Sequence, residues 1–297
     1  MIKLGILDFD TSHAVEFTRR INHVDIAEEQ WVEGAKVVLG CPGESRISPE
    51  RIAGYTAAMK KYGVPLVEKP EEMIGKVDAM LIEAVDGSVH YERAKPFLEA
   101  GLPCFVDKPF ACSVVDARKM IDLAAKKNVS IFSSSALRYA TEVTQYFADR
   151  KHGKVLGCLT YGPASTHDRN PGLFHYGIHA VEILYTFMGP GCERVSCVHD
   201  EGADVATGHW KDGRVATVRG NRSGPSAFGF TAFAEKGIHT TAVSSRFFYR
   251  ELLKKVVEMF KTGKPPLDPS VTLEIVAFIE AANRSGANHG SPEAVKA

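Results

Sequence analysis

Five short apolar runs, spaced by helical patterns, fill the first half of the chain and leave few folds open. They cover residues 3–7, 36–39, 79–84, 103–106 and 129–132. Each is continuous rather than alternating, as strands covered on both faces are. The intervening segments are helical in period. Residues 14–21 place Val15, Thr18 and Ile21 on one stripe, and 49–62 do the same with Ile52, Tyr55, Ala58 or Met59, and Tyr62. Residues 91–100 end at Gly101, a natural stop, and 114–127 turn Val115, Met120, Ile121 and Ala124 inward. Repeated strand–helix units of this length predict a doubly wound parallel sheet, the α/β arrangement called Rossmann-like.

After residue 135 the pattern changes. Strand-like segments dominate, at 155–161, 194–199, 204–210, 214–218, 228–234 and 238–243. Lys211-Asp212-Gly213 and Glu235-Lys236-Gly237 read as hairpin turns. Helices are predicted at 176–188, closed by Gly189-Pro190-Gly191, and at 251–261 and 271–284, with a frayed tail after Ser285. The expected organisation is therefore a dinucleotide-type domain over 1–135 and an α+β domain over 136–297, built on a large, mostly antiparallel open sheet. One face of that sheet has no obvious helical cover, which predicts a homodimer or homotetramer formed through it.

Composition narrows the function classes. Thirty-six basic and 36 acidic residues among 297 give a formal net charge of zero. Without a basic block, nucleic acid is not an expected partner. No apolar run reaches membrane-spanning length. The chain opens on a strand, from which no signal peptide is expected, and its six cysteines form no Cys-x-x-Cys pair. Reduced thiols in a cytoplasmic protein are the expectation.

The most informative motif is Asp107-Lys108-Pro109-Phe110, which follows the fourth apolar run. A lysine at the carboxyl end of such a strand points into the crevice where open α/β sheets bind ligands. Pro109 restricts Lys108 to extended backbone and so aims its amine.

These pieces, in this order, resemble the Gfo/Idh/MocA family, the glucose–fructose oxidoreductase and inositol dehydrogenase relatives. Asp107-Lys108-Pro109 is similar to the family's Glu-Lys-Pro motif, and the resemblance implies that Lys108 is catalytic and touches the nicotinamide end of the cofactor. His90 matches a histidine at the start of the preceding helix. Phe174-His175-Tyr176-Gly177-Ile178-His179-Ala180-Val181-Glu182 resembles the Asp-x-Gly-x-His motif, which implies proton transfer or substrate orientation by His179. The resemblance implies NAD or NADP along a crevice lined by Asp8–His13, Asp86-Gly87, His90, Asp107 and Lys108. It also implies a small polyhydroxy substrate, a sugar or cyclitol, contacted by His175, Arg138, Tyr176 and His167. The chemistry is consistent: oxidising a secondary alcohol needs a base for the hydroxyl proton while hydride leaves for the cofactor, and lysine and histidine both serve. Lys108 and His179 fall in different predicted domains, so a substrate between them would meet both.

Two departures qualify this picture. Where the family has Gly-x-Gly-x-x-Gly after the first strand, this chain reads Asp8-Phe9-Asp10-Thr11-Ser12-His13. An ionised carboxylate about 5 Å from a phosphate charge costs roughly 3 kcal/mol at an effective dielectric of 20. A helix N-terminus returns only about 0.3–1 kcal/mol. Pyrophosphate binding is therefore expected to be weak unless both aspartates turn away or a cation screens them, although Asp10, Thr11 and Ser12 are also good helix caps. The second strand ends with no acid poised for a ribose; Glu44 and Arg46 lie a little further on, with Arg46 a minor candidate for a 2′-phosphate. The second departure is His175, which replaces an aspartate and creates a His175-x-x-x-His179 pair with Glu182 one turn later. A pocket role for His175 is favoured, with a metal site at His175, His179 and Glu182 as the alternative. Asp8, Asp10, His13, His167 and Asp168 are further polar candidates. The leading expectation is an NAD(P)-dependent oxidoreductase. Behind it stand a non-redox lyase or hydrolase on the same fold, with or without metal, and a cofactor-free binding protein.

Overall fold

The computed structural model describes residues 1–297. In chain order its elements are β1 (Ile2–Leu7), α1 (Ser12–Asn22), β2 (Ala35–Cys41), α2 (Pro49–Lys61), β3 (Ala79–Ile82), α3 (His90–Glu99), β4 (Cys104–Val106), α4 (Val114–Lys127), β5 (Ile131–Phe132), α5 (Thr141–Ala148), β6 (Val155–Pro163), α6 (Ile178–Met188), β7 (Cys192–Asp200), β8 (Ala203–Trp210), β9 (Val215–Asn221), β10 (Gly229–Ala234), β11 (Gly237–Ala242), α7 (Phe248–Thr262), α8 (Pro269–Ala287) and β12 (Glu293–Ala294).

Two compact units result. The first comprises Met1–Ala111, Val115–Ser134 and Tyr249–Pro269. Its five-stranded sheet has the order β2-β1-β3-β4-β5, and every neighbouring pair is parallel. Leu4, Ile6, Leu7, Met80, Leu81, Ile82 and Phe105 are fully buried, which explains why these strands read as unbroken apolar runs. From β1 the chain goes outward to β2, then crosses back to β3. The strand order therefore reverses between β1 and β3, and a crevice opens beyond their carboxyl ends. Helix α7 completes this unit. Its buried stripe of Leu252, Leu253, Val256, Val257 and Met259 was legible in the sequence, but an amphipathic stripe does not say which core it joins. Although it lies within residues 136–297, most of this helix packs with the first unit.

The second unit comprises Cys112–Val114, Ser135–Phe248 and Ser270–Ala297. Its seven-stranded sheet has the order β11-β10-β6-β9-β8-β7-β12, antiparallel throughout except where β6 runs parallel to β9. The two expected hairpins join β8 to β9 and β10 to β11. Helix α6 is buried almost all round, and Thr160 on β6 donates its hydroxyl to the Ala180 carbonyl at 2.9 Å. On the opposite sheet face Leu159, Val198, Val215, Phe233 and Ile238 are exposed. Two local expectations change. Helix α5 was not read from the sequence, and the tail after Ser285 is not frayed. β12 pairs with the edge strand β7, and the Ser285 hydroxyl donates to the Ser291 carbonyl at 2.7 Å. An open strand edge offers backbone partners that even a small, polar tail can use. No helix is long and apolar enough to cross a membrane, and all six cysteines are free thiols.

Candidate active site

The loop after β1 replaces the three glycines without losing their backbone path. Asp8 has φ 69°, the left-handed region a glycine adopts freely and an aspartate tolerates better than most residues. Its N–H donates to the Cys41 carbonyl at 3.0 Å, and that of Phe9 donates to Pro42 at 2.8 Å. The Asp8 carboxylate is turned into the protein: Arg93 Nε lies 3.4 Å from Oδ2. A Cβ added to Gly43, itself at φ +65°, would lie 2.0 Å from Asp8 Oδ1, so glycine is required opposite it. Burial raises the Asp8 carboxyl from 3.8 to about 7; Arg93 opposes the shift and Asp10 adds to it. Asp10 is held on both oxygens, accepting the Val85 N–H at 3.1 Å and the Ser45 hydroxyl at 2.6 Å. Its carboxyl is raised by burial, and these hydrogen bonds offset part of the rise. Neither aspartate caps α1. That role falls to Thr11, whose hydroxyl accepts the His13 N–H at 3.4 Å.

The repulsion expected from two free aspartates is therefore too large. It assumed ionised side chains aimed at a phosphate. One is only partly ionised at pH 7 and faces Arg93, and the other is spent on the loops after β2 and β3.

Beyond the ends of β1, β3 and β4, the structure gathers a second group of charges. His13 opens α1, Glu83 follows β3, and Asp107 and Lys108 follow β4. Sheet-like hydrogen bonds continue past the strand ends, with Glu83 N–H donating to Leu7 at 3.0 Å and Asp107 N–H to Ile82 at 2.8 Å. His13 Nδ1 stands 2.7 Å from Asp107 Oδ2 and 3.8 Å from Glu83 Oε2. Its Nε2 meets the Tyr249 hydroxyl at 3.0 Å, and its ring stacks on Phe17 at 4.8 Å. Asp107 Oδ1 accepts the Lys108 N–H at 2.7 Å. Burial alone would raise Asp107, but His13 and Lys108 outweigh it and bring the carboxyl down to about 2. Glu83 goes the other way. It is wholly buried, and desolvation together with the Asp107 charge pushes it well above the usual carboxylate range. Glu83 was missed by sequence reading because it stands inside what passed for an apolar run. An acid ending a strand buried on both faces was the available signal.

The other residues around this crevice have structural work. His90 is fully buried, with Nε2 2.8 Å from the Ala84 carbonyl and Nδ1 2.9 Å from that of Pro109. It braces the turn that carries Lys108, and contact with a cofactor is not available to a ring so enclosed. Asp86 accepts from Ser88 N–H at 2.9 Å and so caps the turn Gly87–Val89. Lys108 is buried, followed by a cis peptide to Pro109.

In the second unit His179 lies one residue inside the start of α6. Its Nδ1 is 2.6 Å from the Ser135 hydroxyl, and its ring meets Tyr176 and Phe228 edge-on at 4.9 and 5.5 Å. Arg138 is not presented to a ligand. Its Nε donates to Glu182 Oε2 at 2.8 Å, with Nη2 2.7 Å from the same oxygen, and both side chains are buried. That pairing also removes Glu182 from the alternative metal set. His175 precedes the regular helix, which starts only at Ile178 after a turn at Gly172–Phe174, and its ring lies 5.6 Å from His167. The three-residue metal-type cluster in this chain is instead His13, Glu83 and Asp107.

Comparison with known proteins follows the same lines. Residues 46–135 match the GFO_IDH_MocA family model, described as an oxidoreductase family with an NAD-binding Rossmann fold. The Salmonella typhimurium protein YceM, assigned as an oxidoreductase, is 26% identical over 115 residues. That aligned stretch spans 39% of this chain and 37% of YceM. Among solved structures, GenD2 from gentamicin A biosynthesis, in complex with NAD, superposes with a TM-score of 0.79 at 17% identity, over 100% of this chain and 97% of that one. The myo-inositol dehydrogenase of Lactobacillus casei, in complex with NAD(H) and myo-inositol, gives a TM-score of 0.79 at 14% identity over the same shares. At such identities these two likenesses speak for the fold.

Proposed function

We propose that the chain is an oxidoreductase of the Gfo/Idh/MocA type, which oxidises a secondary alcohol of a sugar, cyclitol or related polyhydroxy compound with NAD(P) as hydride acceptor. One observation carries this reading. Lys108 follows β4 inside the matched stretch 46–135, beside the crevice where the strand order reverses, on a turn braced by His90. The loop after β1 suits a dinucleotide better than its sequence suggested, because Asp8 keeps a glycine-like backbone and both aspartates are turned onto protein groups.

In the proposed reaction the substrate C–H bond breaks and hydride passes to the nicotinamide, while the hydroxyl proton passes to a protein base. Lys108 and His179 are the proposed proton-transfer residues. Ser135 orients the His179 ring through Nδ1. His175, His167 and Tyr176 remain the proposed substrate contacts; Arg138 is replaced in that role by its bond to Glu182. The bare apolar face of the second sheet supports a homo-oligomer built through it. Calorimetric titration with NAD and NADP, followed by turnover assays on a panel of polyols with Lys108→Ala as control, tests the reading. No binding of either nucleotide would sink it.

A further inference from the structure

We propose that His13, Glu83 and Asp107 form a divalent-metal site at the carboxyl edge of the parallel sheet. Their ligand atoms all lie within 4.8 Å of one another, and they arrive from three different elements around one point. His13 Nδ1 is 2.7 Å from Asp107 Oδ2 and 3.8 Å from Glu83 Oε2. A metal bonded at about 2.0–2.2 Å to nitrogen and oxygen holds its ligand atoms roughly 3–3.6 Å apart. Small rotations of these side chains suffice to receive it.

A second observation points to a cation here. Both oxygens of Glu83 lack a hydrogen bond although the side chain is wholly buried. Buried carboxylates are normally paired, hydrogen-bonded or bound to metal. His13 Nδ1, 2.7 Å from Asp107 Oδ2 and 3.8 Å from Glu83 Oε2, joins the two carboxylates, so three potential ligand atoms converge on one buried point.

The surroundings prepare each ligand. The Tyr249 hydroxyl engages His13 Nε2 at 3.0 Å, and Phe17 stacks on the ring. A metal that displaces the proton from Nδ1 would find Nε2–H held toward Tyr249, the outer-sphere arrangement that metal-binding histidines use. Asp107 has Oδ1 taken by the Lys108 N–H, which leaves Oδ2 for a metal. The charge also favours it. Glu83 and Asp107 are both buried carboxylates at this point, with Asp8 and Asp10 close enough to act on Glu83 and Lys108 acting against them. One imidazole and two carboxylates suit Zn²⁺, Mn²⁺ or Fe²⁺ better than the oxygen-seeking Ca²⁺ and Mg²⁺.

The site stands apart from the dinucleotide reading, because metal binding is measured directly and without nucleotide. The full chain, stripped with chelator and dialysed, is titrated with Mn²⁺ by electron paramagnetic resonance and with Zn²⁺ against a chromophoric chelator. One equivalent of metal should bind and raise the melting temperature. Glu83→Gln and Asp107→Asn should each abolish measurable binding while circular dichroism stays native. Tyr249→Phe should weaken it by about tenfold to a hundredfold. If Glu83→Gln does not fold, Asp107→Asn and Tyr249→Phe carry the comparison. A wild type that binds no metal at millimolar concentration would overturn the proposal and leave Glu83 a buried neutral acid. Stoichiometric binding unchanged in both Asp107→Asn and Tyr249→Phe would place the metal elsewhere and overturn it equally.

Discussion

The guanidinium of Arg138 brings both Nε and Nη2 onto one oxygen of Glu182, at 2.8 and 2.7 Å, with both side chains buried. This bond joins the turn Ala136–Tyr139 to helix α6 three positions on from His179. Removing one partner strands the other charge in the interior. Glu182→Gln should therefore cost about 3–5 kcal/mol of stability, the usual penalty for a broken buried pair. The double variant Arg138→Met/Glu182→Leu should recover most of that loss. Thermal and urea unfolding of the three variants read this directly. A single variant as stable as wild type would mean the pair is solvated in solution.

Asp8 makes nucleotide binding and stability depend on pH. Burial raises its carboxyl from 3.8 to about 7, against the opposing charge of Arg93. Between these values the folded chain holds a proton that the unfolded chain has released. The stabilising contribution is thus fully present below about pH 4 and is lost as pH rises through about 7. Over the same upper range a new negative charge enters the proposed phosphate loop. NAD(P) affinity should fall as pH passes from 6 to 8, by up to roughly tenfold, in line with a screened like-charge contact. Asp8→Asn should flatten both profiles and gain melting temperature at pH 8 while gaining little at pH 5. Parallel slopes in wild type and variant would remove Asp8 from the effect.

Much of this was legible in the sequence, and the failures have physical causes. Continuous apolar runs gave the parallel strands because both sheet faces are covered, and Lys211-Asp212-Gly213 and Glu235-Lys236-Gly237 gave their hairpins because the turns need those residues. Periodicity, however, carries no address. Helix α7 showed its stripe without revealing that it would bring Tyr249 to His13. Side-chain direction was equally hidden. Arg138 and Glu182 were read separately as ligand-facing groups, yet they lie 44 positions apart and neutralise each other. Asp8 and Asp10 were read as phosphate-facing, and nothing local announced Arg93 or Ser45 as their partners. Glu83 was lost because an apolar average over six residues absorbed one acid.

The second unit's bare sheet face gives a prediction about assembly. Phe233 and Ile238 are paired neighbours on β10 and β11, and Leu159 and Val215 continue the same face. An aspartate at Ile238 together with one at Leu159 puts two charges into that apolar surface. Light scattering after size exclusion should show the wild type as a dimer or tetramer and the double variant shifted toward monomer. A monomeric wild type would remove the oligomer from the proposed function.

Lys108 supports a prediction that separates catalysis from structure. The motif alone gives Lys108 a catalytic role; its surroundings give it a structural part as well. Lys108 is buried, and its charge acts on both Asp107 and Glu83, lowering the one and restraining the rise of the other. Lys108→Met should therefore abolish turnover and also lower stability at neutral pH, because it leaves two buried carboxylates with less compensation. Adding Glu83→Gln removes the acid that most needs the lysine. The double variant Lys108→Met/Glu83→Gln should regain stability relative to Lys108→Met, with a coupling energy of about 0.5–3 kcal/mol between the sites. Turnover should not return, because a base lost from the reaction is not replaced by a neutral amide. Unfolding measurements and a single-turnover assay on the same four proteins decide it. Strict additivity of the stability changes would show that Lys108 and Glu83 do not sense each other, and restored turnover in the double variant would take Lys108 out of proton transfer.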